Sequence, residues 1–590
     1  MMKTQFSFLM LVLWPSALVA QVNEATAATQ NHTSSKGLAA KIDRLFASLA
    51  TPNSPGAAVT VIENGTVIAR KAYGLASIEH EVPFTHRTVV KMPYSEGREF
   101  IAISAVLMEQ DGVLKLDDKV RRFFPNLPAW AESVTIWDLL NHRSGFIDEW
   151  DALLLTQASM GNRVDQSQFL QLLYHQPTPE VEPGKGYMYS NSDFGLLRLI
   201  EEKASGQDLS VWMTKRMFEP LKMSSTRLSD NSLEIIPKLA TTYYGSGGDS
   251  RLGYPDKTSP GGNYSITTSA ADLEKWAKAH SDTVSEIARA AARLRANVRR
   301  LPGKENHHVV GYTVREVNRQ QVVVHEGVNE YNYLTRIPHK GLSVITLGNL
   351  GGSGYSRENA SIVDFLLKVP TPSAPLKPQL LTKAISVATE ELKRYGGRYV
   401  WQDQKSWESE TEVRRTSDIL LDGDVLKIRV IGNVTFLLTP VGQDMFYNPA
   451  GPGAQYEFSR SNVNERMNLR VRFGDGSPDI RMQKQADEIW HPSSQALSRF
   501  TGKYYSKHLD YYWTVVLDDD GKLVIKRPTI ADTVLEPDTQ DQFILSIEVY
   551  PGTVGGDAAV RFHDDGQGHI THLTVSHPRL MHHRFDRVGP

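Results

Sequence analysis

One stretch, Tyr94-Ser95-Glu96-Gly97-Arg98-Glu99-Phe100, predicts the start of a helix. Apolar residues recur behind it at three- and four-residue steps, at Phe100, Ile103 and Leu107. Gly112 is well placed to end the helix. Ser95 and Arg98 would share one face of the first turn, where free amides and the helix dipole favour an alkoxide. Ser95 is therefore a candidate nucleophile; the alternative is that Ser95 only caps the helix and Arg98 is a solvated charge.

The bulk composition excludes several classes of protein. A chain of 590 residues is long enough for more than one domain, and its 40% hydrophobic and 22% charged residues are ordinary for a globular protein. A formal net charge of −2 gives no overall signal for nucleic acid. The absence of cysteine from the sequence excludes disulfides, thiolate metal sites and a cysteine nucleophile.

The first residues have the pattern of an export signal. Lys3 precedes an apolar run, 6–13, and small residues lead to a predicted cleavage after Ala20, with a second candidate at Ala25-Thr26-Ala27. The run is far shorter than the roughly 20 residues of a membrane span. The sequence therefore predicts a signal peptide at 1–20, a flexible lead at 21–37, and a periplasmic or secreted protein without a membrane anchor.

The section 38–368 is predicted to be an α+β domain. Helical periodicity over 38–49 is followed by two β-rich runs around Asn64-Gly65, a strong hairpin signal. The middle of the section is mixed, with a helical stretch from Phe194 that Gly206 ends. Strand patterns return at 312–314, 321–324, 333–337 and 342–347. Strands at both ends with helices between them predict one antiparallel sheet flanked by helices.

The rest of the chain is predicted to form two small antiparallel β-barrels. A proline-rich linker, 369–388, precedes short alternating strands that repeat, with 392–399 matching 497–504 and Leu438-Thr439-Pro440 matching Leu535-Glu536-Pro537. The barrels are placed at 389–488 and 494–588. They contain no evident catalytic constellation, so they either shape access to a site elsewhere or serve stability or oligomerisation.

Three separated elements are candidates for one hydrolase site. They are Ser95 with Arg98, the triplet Tyr189-Ser190-Asn191, and the triplet His325-Glu326-Gly327. A serine hydrolase needs a hydroxyl nucleophile and a group that takes its proton. Tyr189 is a candidate base because positive charge favours a phenolate, and Arg98 and a protonated His325 would supply that charge.

Other residues of these elements are candidates for substrate binding. Asn191 could bond a substrate amide. The amide of Ser95 could form one half of an oxyanion hole, and that of Val328, just past Gly327, the other. Glu149-Trp150-Asp151 is expected either to line the pocket or to form a surface loop.

The section 38–368 resembles the serine β-lactamase-like and penicillin-binding-protein-like hydrolases, including class C β-lactamases, DD-peptidases, D-aminopeptidases and related esterases. Besides the three elements, the resemblance rests on a set of shared motifs: Phe84-Thr85, 112–118, 139–145, Pro183-Gly184, Gly261-Gly262, 268–273 and 345–349. It implies a β-lactamase-like fold and acyl-enzyme chemistry, and with two lipocalin-like barrels it is most similar to secreted D-aminopeptidases. Peptidases of linearised cyclic toxin peptides are a second branch.

One position departs from this family. The family's first motif is Ser-x-x-Lys, whose lysine helps to deprotonate the serine, and here Arg98 stands at that position. Arginine stays protonated and cannot act as a base. Two hypotheses follow: an active hydrolase with Tyr189 as base and Arg98 as a fixed charge that could also bind a substrate carboxylate, or a non-catalytic binding protein of the same fold.

Cofactors and partners follow from the same residues. No cofactor or metal is expected, since His307-His308 and His582-His583 are adjacent pairs, which point to opposite strand faces and are predicted to lie at the surface. A peptide or small-molecule substrate is expected, without nucleic acid or membrane. The identity of that substrate and the oligomeric state stay open.

Overall fold

A computed structural model provides the coordinates. It describes residues 37–51, 53–93, 97–156, 165–229, 234–244, 251–252, 265–298, 307–326, 332–351, 355–369, 383–402, 416–430, 434–448, 453–460, 465–473, 479–486, 490–528, 530–550, 553–577 and 579–589. Ser95, Gly327, Val328 and the predicted signal peptide lie outside the described residues.

The first section of the chain combines strands and helices. Its strands are β1 (Ala57–Glu63), β2 (Thr66–Tyr73), β3 (Leu75–Ser77), β4 (Val82–Pro83), β5 (Val89–Pro93), β6 (Arg227–Ser229), β7 (Tyr243–Tyr244), β8 (Arg251–Leu252), β9 (Ser265–Ser269), β10 (His307–Val309), β11 (Tyr312–Val317), β12 (Gln320–Glu326), β13 (Tyr333–Ile337), β14 (Leu342–Gly348) and β15 (Leu350–Gly351). Its helices are α1 (37–45), α2 (Arg98–Gln110), α3 (Val120–Phe123), α4 (Ile136–Leu140), α5 (Glu149–Thr156), α6 (Gln166–Tyr174), α7 (Asn191–Ser205), α8 (Leu209–Met213), α9 (Ala270–Ser281), α10 (Glu286–Ala296) and α11 (Ser356–Leu366).

The main sheet is antiparallel, with seven strands in the order β10-β11-β12-β13-β14-β1-β2. Strand β1, from the beginning of the first section, pairs with β14, from its end. The predicted sheet is therefore confirmed. Asn64 and Gly65 form the two-residue turn of the β1–β2 hairpin with φ of 49° and 76°. Asparagine and glycine tolerate such left-handed angles, which explains why this dipeptide predicted the turn.

Both faces of the main sheet are covered. Along β1, Ala58 and Ile62 face a core that contains α2, α9 and α10, whereas Val59 and Val61 face a second core that contains α1 and α11. Strand alternation therefore places apolar side chains in both layers. The predicted helix ends are also found, since α2 is followed by Gly112 and α7 by Gly206, both at positive φ.

Two closed barrels of eight strands follow the first section, as predicted. The first barrel is preceded by α12 (Thr389–Leu392) and consists of β16 (Gly397–Trp401), β17 (Thr416–Asp422), β18 (Val425–Val430), β19 (Val434–Gly442), β20 (Met445–Asn448), β21 (Ala454–Ser459), β22 (Asn468–Phe473) and β23 (Ile480–Ala486). The second is preceded by α13 (Ser494–Leu497) and consists of β24 (Gly502–Ser506), β25 (Tyr511–Leu517), β26 (Leu523–Arg527), β27 (Ile530–Thr539), β28 (Gln542–Tyr550), β29 (Thr553–Asp564), β30 (Ile570–His577) and β31 (Leu580–Gly589).

The sequence repeat corresponds to a structural repeat. In both barrels a helical turn leads into the first strand, and a strand tyrosine donates back to that turn: Tyr399 to the Tyr395 carbonyl at 2.9 Å and Tyr504 to the Phe500 carbonyl at 2.8 Å. Buried aromatic side chains fill both interiors. The two barrels are joined by Arg398, which pairs with both Asp418 and Asp538.

The second barrel packs directly against the first section. Trp513 donates from its indole nitrogen to the Leu155 carbonyl at 3.0 Å, and the backbone amide of Met581 donates to Glu180 at 2.7 Å. The apolar core of the second barrel is continuous with that of the first section, whereas the first barrel has a separate core.

Two predictions about surface residues were wrong. His583 is 6% exposed and its Nε2 lies 2.8 Å from Ser506 Oγ, because alternation along β31 turns it into the barrel while His582 faces outward. Glu149-Trp150-Asp151 forms the start of α5 and is buried under the second barrel, so it is no surface loop.

Among the described residues, none of the helices has both the length and the apolar character needed to cross a bilayer.

Candidate active site

Arg98 is the first residue of α2 and is only 1% exposed. Its Nη2 donates to Asn191 Oδ1 at 2.5 Å, and its guanidinium carbon lies 4.6 Å from the centre of the Tyr189 ring. The interpretation of Arg98 as a solvated charge is therefore wrong. A buried guanidinium is expensive unless it is paired, so its contacts with Asn191 and Tyr189 are what make this position tenable.

A tight turn holds the start of α2 in place. Gly311 connects β10 to β11 with φ of 86°, and a Cβ there would come within 2.8 Å of the backbone of Arg98 and Glu99. Only glycine permits both the left-handed angle and the close approach. The β10–β11 turn of the main sheet therefore packs directly against the helix turn that carries Arg98.

Asp148 fixes the orientation of Asn191. One of its oxygens accepts from both the backbone amide and the side-chain Nδ2 of Asn191, each at 2.7 Å. Its other oxygen accepts from the amides of Trp150 and Asp151 at the start of α5. The Asn191 carbonyl oxygen is thus turned toward Arg98, so Asn191 positions Arg98 whether or not it also binds substrate.

The second barrel contributes a second guanidinium. The turn between β30 and β31 places the Arg579 guanidinium carbon 5.5 Å from the centre of the Tyr189 ring. Arg579 also lies 3.4 Å from Asp148 and 3.6 Å from Asp151. The Tyr189 ring is therefore bordered by a cation from the α2 turn and by a cation from the turn between β30 and β31, far later in the chain.

Buried acids surround this pair of cations. Burial alone would raise the pKa of Asp151, but His577, 2.5 Å away, and Arg579 outweigh it and lower that pKa to about 2. For Glu149, burial and then the neighbouring Asp148 raise the pKa to about 8. One carboxyl is therefore ionised and the other protonated at neutral pH, two residues apart on α5.

His325 is connected to the α2 turn through Glu99. Its Nδ1 lies 2.7 Å from Glu99 Oε2, and both side chains are fully buried. Burial opposes ionisation of Glu99, but Arg336 and His280 outweigh it and hold its pKa well below the usual range. Glu99 therefore links the strand that carries His325 to the first turn of α2.

The structure thus brings together Arg98, Tyr189 and Asn191 and attaches His325 to the same helix turn. Ser95, three positions before Arg98, and Gly327 and Val328 lie outside the described residues, so their roles stay predictions. Sequence reasoning missed Glu99, Asp148 and Arg579. For Arg579 the available signal was a difference between the two sequence repeats, since the segment His577-Pro578-Arg579 of the second has no counterpart in the sequence Gly474-Asp475-Gly476-Ser477-Pro478 of the first.

The comparison with known proteins settles the family. Residues 42–367, more than half of the chain, match the Beta-lactamase family. The chain belongs to this family. The predicted resemblance is confirmed, and the family is one of serine hydrolases.

Individual relatives of the family are distant. Penicillin-binding protein 4* of Bacillus subtilis (strain 168) is 30% identical over 192 residues, 32% of this chain and 42% of that protein. Protein flp of Staphylococcus aureus (strain MRSA252) is 23% identical over 308 residues, 50% of this chain and 60% of that protein. The alignments therefore span about half the length of these relatives.

Among solved structures, the fold is similar to that of the octameric penicillin-binding protein homologue from Pyrococcus abyssi. The TM-score is 0.51 at 22% sequence identity, covering 76% of this chain and 99% of that one. At this identity the similarity extends to the fold.

Proposed function

We propose that this member of the Beta-lactamase family is an exported serine hydrolase that acts through an acyl-enzyme on a peptide, a D-amino-acid amide or a related amide or ester. Ser95 is the nucleophile and Tyr189 the general base. The apolar run at 6–13 supports export. The observation that carries the proposal is the placement of Arg98, buried against Tyr189 and bonded to Asn191.

The reaction proceeds in two displacements. The Ser95 oxygen attacks the substrate carbonyl carbon while its proton passes to the Tyr189 phenolate. The tetrahedral intermediate collapses as the leaving amine or alcohol takes that proton from Tyr189, leaving an ester on Ser95. Water, deprotonated by Tyr189, then attacks the ester, and Ser95 regains its proton as the acid departs.

Arg98 and Arg579 supply the positive charge that a motif lysine would supply. Neither can accept the proton, because guanidinium groups stay charged in proteins. Their guanidinium carbons lie 4.6 Å and 5.5 Å from the centre of the Tyr189 ring, so both positive charges border the proposed base. In this assignment Tyr189 accepts the proton in both displacements, so catalysis depends on its hydroxyl group.

A non-catalytic binding protein of the same fold is the second candidate. The substitution of arginine for the motif lysine at position 98 favours it. It predicts no covalent chemistry at Ser95, whereas the hydrolase requires it.

The two candidates are separated by hydrolysis and labelling. Wild type and Ser95→Ala are compared on p-nitroanilide and p-nitrophenyl ester substrates, and a fluorophosphonate probe is located by mass spectrometry. The hydrolase predicts a loss of about a thousandfold in Ser95→Ala and an adduct on Ser95. Equal rates of hydrolysis by the two proteins, with no adduct on Ser95, would support the binding protein instead.

A further inference from the structure

A cavity of about 580 Å³ lies at one end of the main sheet, between α9, α10 and the turns that follow β1 and β13. Its size is within the range of small-ligand pockets. The cavity wall contains four cationic residues and one acidic residue: Lys278, Arg289, Arg295, Arg336 and Asp282. Charges of one sign that line a concave site attract a ligand of the opposite sign.

The sequence of α10 creates the space. Ala288, Ala292 and Arg295 line the cavity at steps of four and three residues, so they share one face of the helix. Ile287 and Leu294 turn a different face of the same helix into the core. The two alanines lack long side chains, so they leave the volume beside Arg295 open.

Arg295 lies in the cavity wall without an ion-pair partner among the described residues. It is half-buried, and none of its guanidinium nitrogens belongs to the buried atoms that lack a hydrogen bond, so they stay accessible. Burial lowers the pKa of Arg295, Tyr312 and Glu99 oppose this effect, and Arg336 adds to it. A partly desolvated cation without a partner costs free energy, which a bound anion would offset.

The other cations of the wall differ in accessibility. Lys278, in the last turns of α9, and Arg289, on α10, are exposed, so their side chains can adjust to a ligand. Arg336 is 4% exposed, and its Nε and Nη1 have almost no accessible surface. Arg336 therefore contributes positive charge to the cavity, while Arg295, Lys278 and Arg289 are the residues able to contact a ligand.

Two carboxylates reduce the positive charge of the site. Glu99 accepts from Arg336 Nη2 behind the cavity, and Asp282 Oδ1 accepts from the backbone amide of Val284 at 3.1 Å. His280 also lines the cavity, and its pKa is lowered to about 4, mainly by burial, so the ring is neutral. Four cations and two carboxylates leave an excess of two positive charges, which matches a dianion.

We propose that this cavity binds a small organic dianion, either a phosphate ester or a dicarboxylate, through Arg295 with Lys278 and Arg289. The two kinds of ligand share a doubly charged set of oxygen acceptors, for which guanidinium and ammonium groups are strong donors. Apolar surface beside the cations accommodates the rest of the ligand. The site goes beyond the proposed hydrolase function, since Arg98, Tyr189 and Asn191 do not line it and binding requires no chemistry at Ser95.

Binding is tested by calorimetry on the full chain at low ionic strength. The probes are glycerol 3-phosphate and succinate, with glycerol as the uncharged control and acetate as the singly charged control. A dianion is expected to bind at least about tenfold more tightly than acetate. Binding of one probe identifies the phosphate ester or the dicarboxylate as the ligand, binding of both supports recognition of the shared dianion, and binding of neither would overturn the proposal.

A pair of variants locates the bound anion. Arg295→Gln removes the half-buried cation and is expected to weaken dianion binding about tenfold. Arg293→Gln removes the same charge two residues away, where an exposed arginine outside the cavity pairs with Glu109, and should stay within about twofold of wild type. Equal weakening in both variants would show a response to net charge alone and would refute the site.

Lys278→Gln provides an arm that does not depend on the folding of Arg295→Gln, because Lys278 is exposed. It should weaken dianion binding about threefold. Unchanged binding in Lys278→Gln and in a stably folded Arg295→Gln would overturn the proposal. Every measurement is made without a hydrolase substrate, so failure of Ser95-dependent hydrolysis would refute the proposed function and leave this result unaffected.

Discussion

The two barrels have the same architecture and different relations to the rest of the molecule. Both close eight antiparallel strands and begin with the same tyrosine-anchored turn. The first barrel has its own core, while the core of the second merges with that of the first section of the chain. A closed barrel satisfies its own backbone hydrogen bonds, so its turns are free to diverge and one copy can acquire a docking surface.

The turns of the second barrel show what that divergence produces. Its β30–β31 turn places Arg579 beside Tyr189, and its β24–β25 turn places His508 against α6. The two copies therefore share a scaffold and differ in what their connecting turns contact. Four experiments test this difference.

The largest effect is expected at Trp513, which sits inside the second barrel, stacks on Phe585 and donates to Leu155. Trp513→Ala should lower the free energy of unfolding by about 4 kcal/mol, because it opens a cavity and removes an interdomain hydrogen bond. The control is Trp401→Ala in the first barrel, a partly buried indole bonded to Ser417, which should cost about half as much. Denaturant unfolding measures the free energy of unfolding of both variants. Equal losses would contradict the idea that packing against the first section makes the core of the second barrel more important for stability.

The second effect is expected at Arg398, which links the two barrels through its ion pairs. Arg398→Ala should cost about 3 kcal/mol, since it leaves Asp418 and Asp538 buried without their shared partner. Calorimetry should also show the two barrels melting further apart in temperature. Arg470→Ala, which breaks the more exposed pair with Asp479 in the first barrel, should change stability by less than about 1 kcal/mol.

The contribution of the second barrel to catalysis is tested at Arg579. Arg579→Ala should lower kcat/KM for a p-nitrophenyl ester about a hundredfold, because one of the two cations beside Tyr189 is lost. Arg470→Ala serves again as the first-barrel control and should retain wild-type activity. Full activity in a stably folded Arg579→Ala would remove the second barrel from the catalytic site.

The last difference between the two barrels is one of acid sensitivity. The first barrel, 389–488, contains no histidine in its sequence, whereas 494–588 contains seven. Burial lowers the pKa of His583 to about 3 and that of His508 to about 4, below the ordinary value of 6.5. Between those values and 6.5 the unfolded chain binds more protons than the folded one, so stability is complete above pH 6.5 and declines as the pH falls.

Acid should therefore affect the second barrel before the first. Each buried histidine contributes a slope of at most about 1.4 kcal/mol per pH unit. Unfolding between pH 7 and pH 4 is compared for wild type, His583→Gln and His582→Gln, the last being an exposed neighbour. His583→Gln should flatten the decline; an unchanged decline in that variant would show that another group is responsible.

Much of the fold could be predicted because its signals are local. Asn64-Gly65 predicts its hairpin through the φ angles that those residues tolerate, and Gly206 predicts the end of α7 in the same way. The repeat at 392–399 and 497–504 predicted two similar domains. The site was predictable only in part: the spacing of the motifs pointed to Arg98, Tyr189 and Asn191, but the burial of Arg98 contradicts what its charge suggests.

By itself, the sequence determined the succession of helices and strands, the doubling of the barrel and the presence of an arginine where the Beta-lactamase family has a lysine, since each depends on neighbouring residues or on a repeated pattern. Only the tertiary structure decided that Arg579 and Arg98 both border the Tyr189 ring, that Glu99 lies against His325, and that neither carboxyl oxygen of Glu149 has a hydrogen-bond partner among the described residues. These relations join residues far apart in the chain, and their energies come from burial and charge that exist only once the domains have packed.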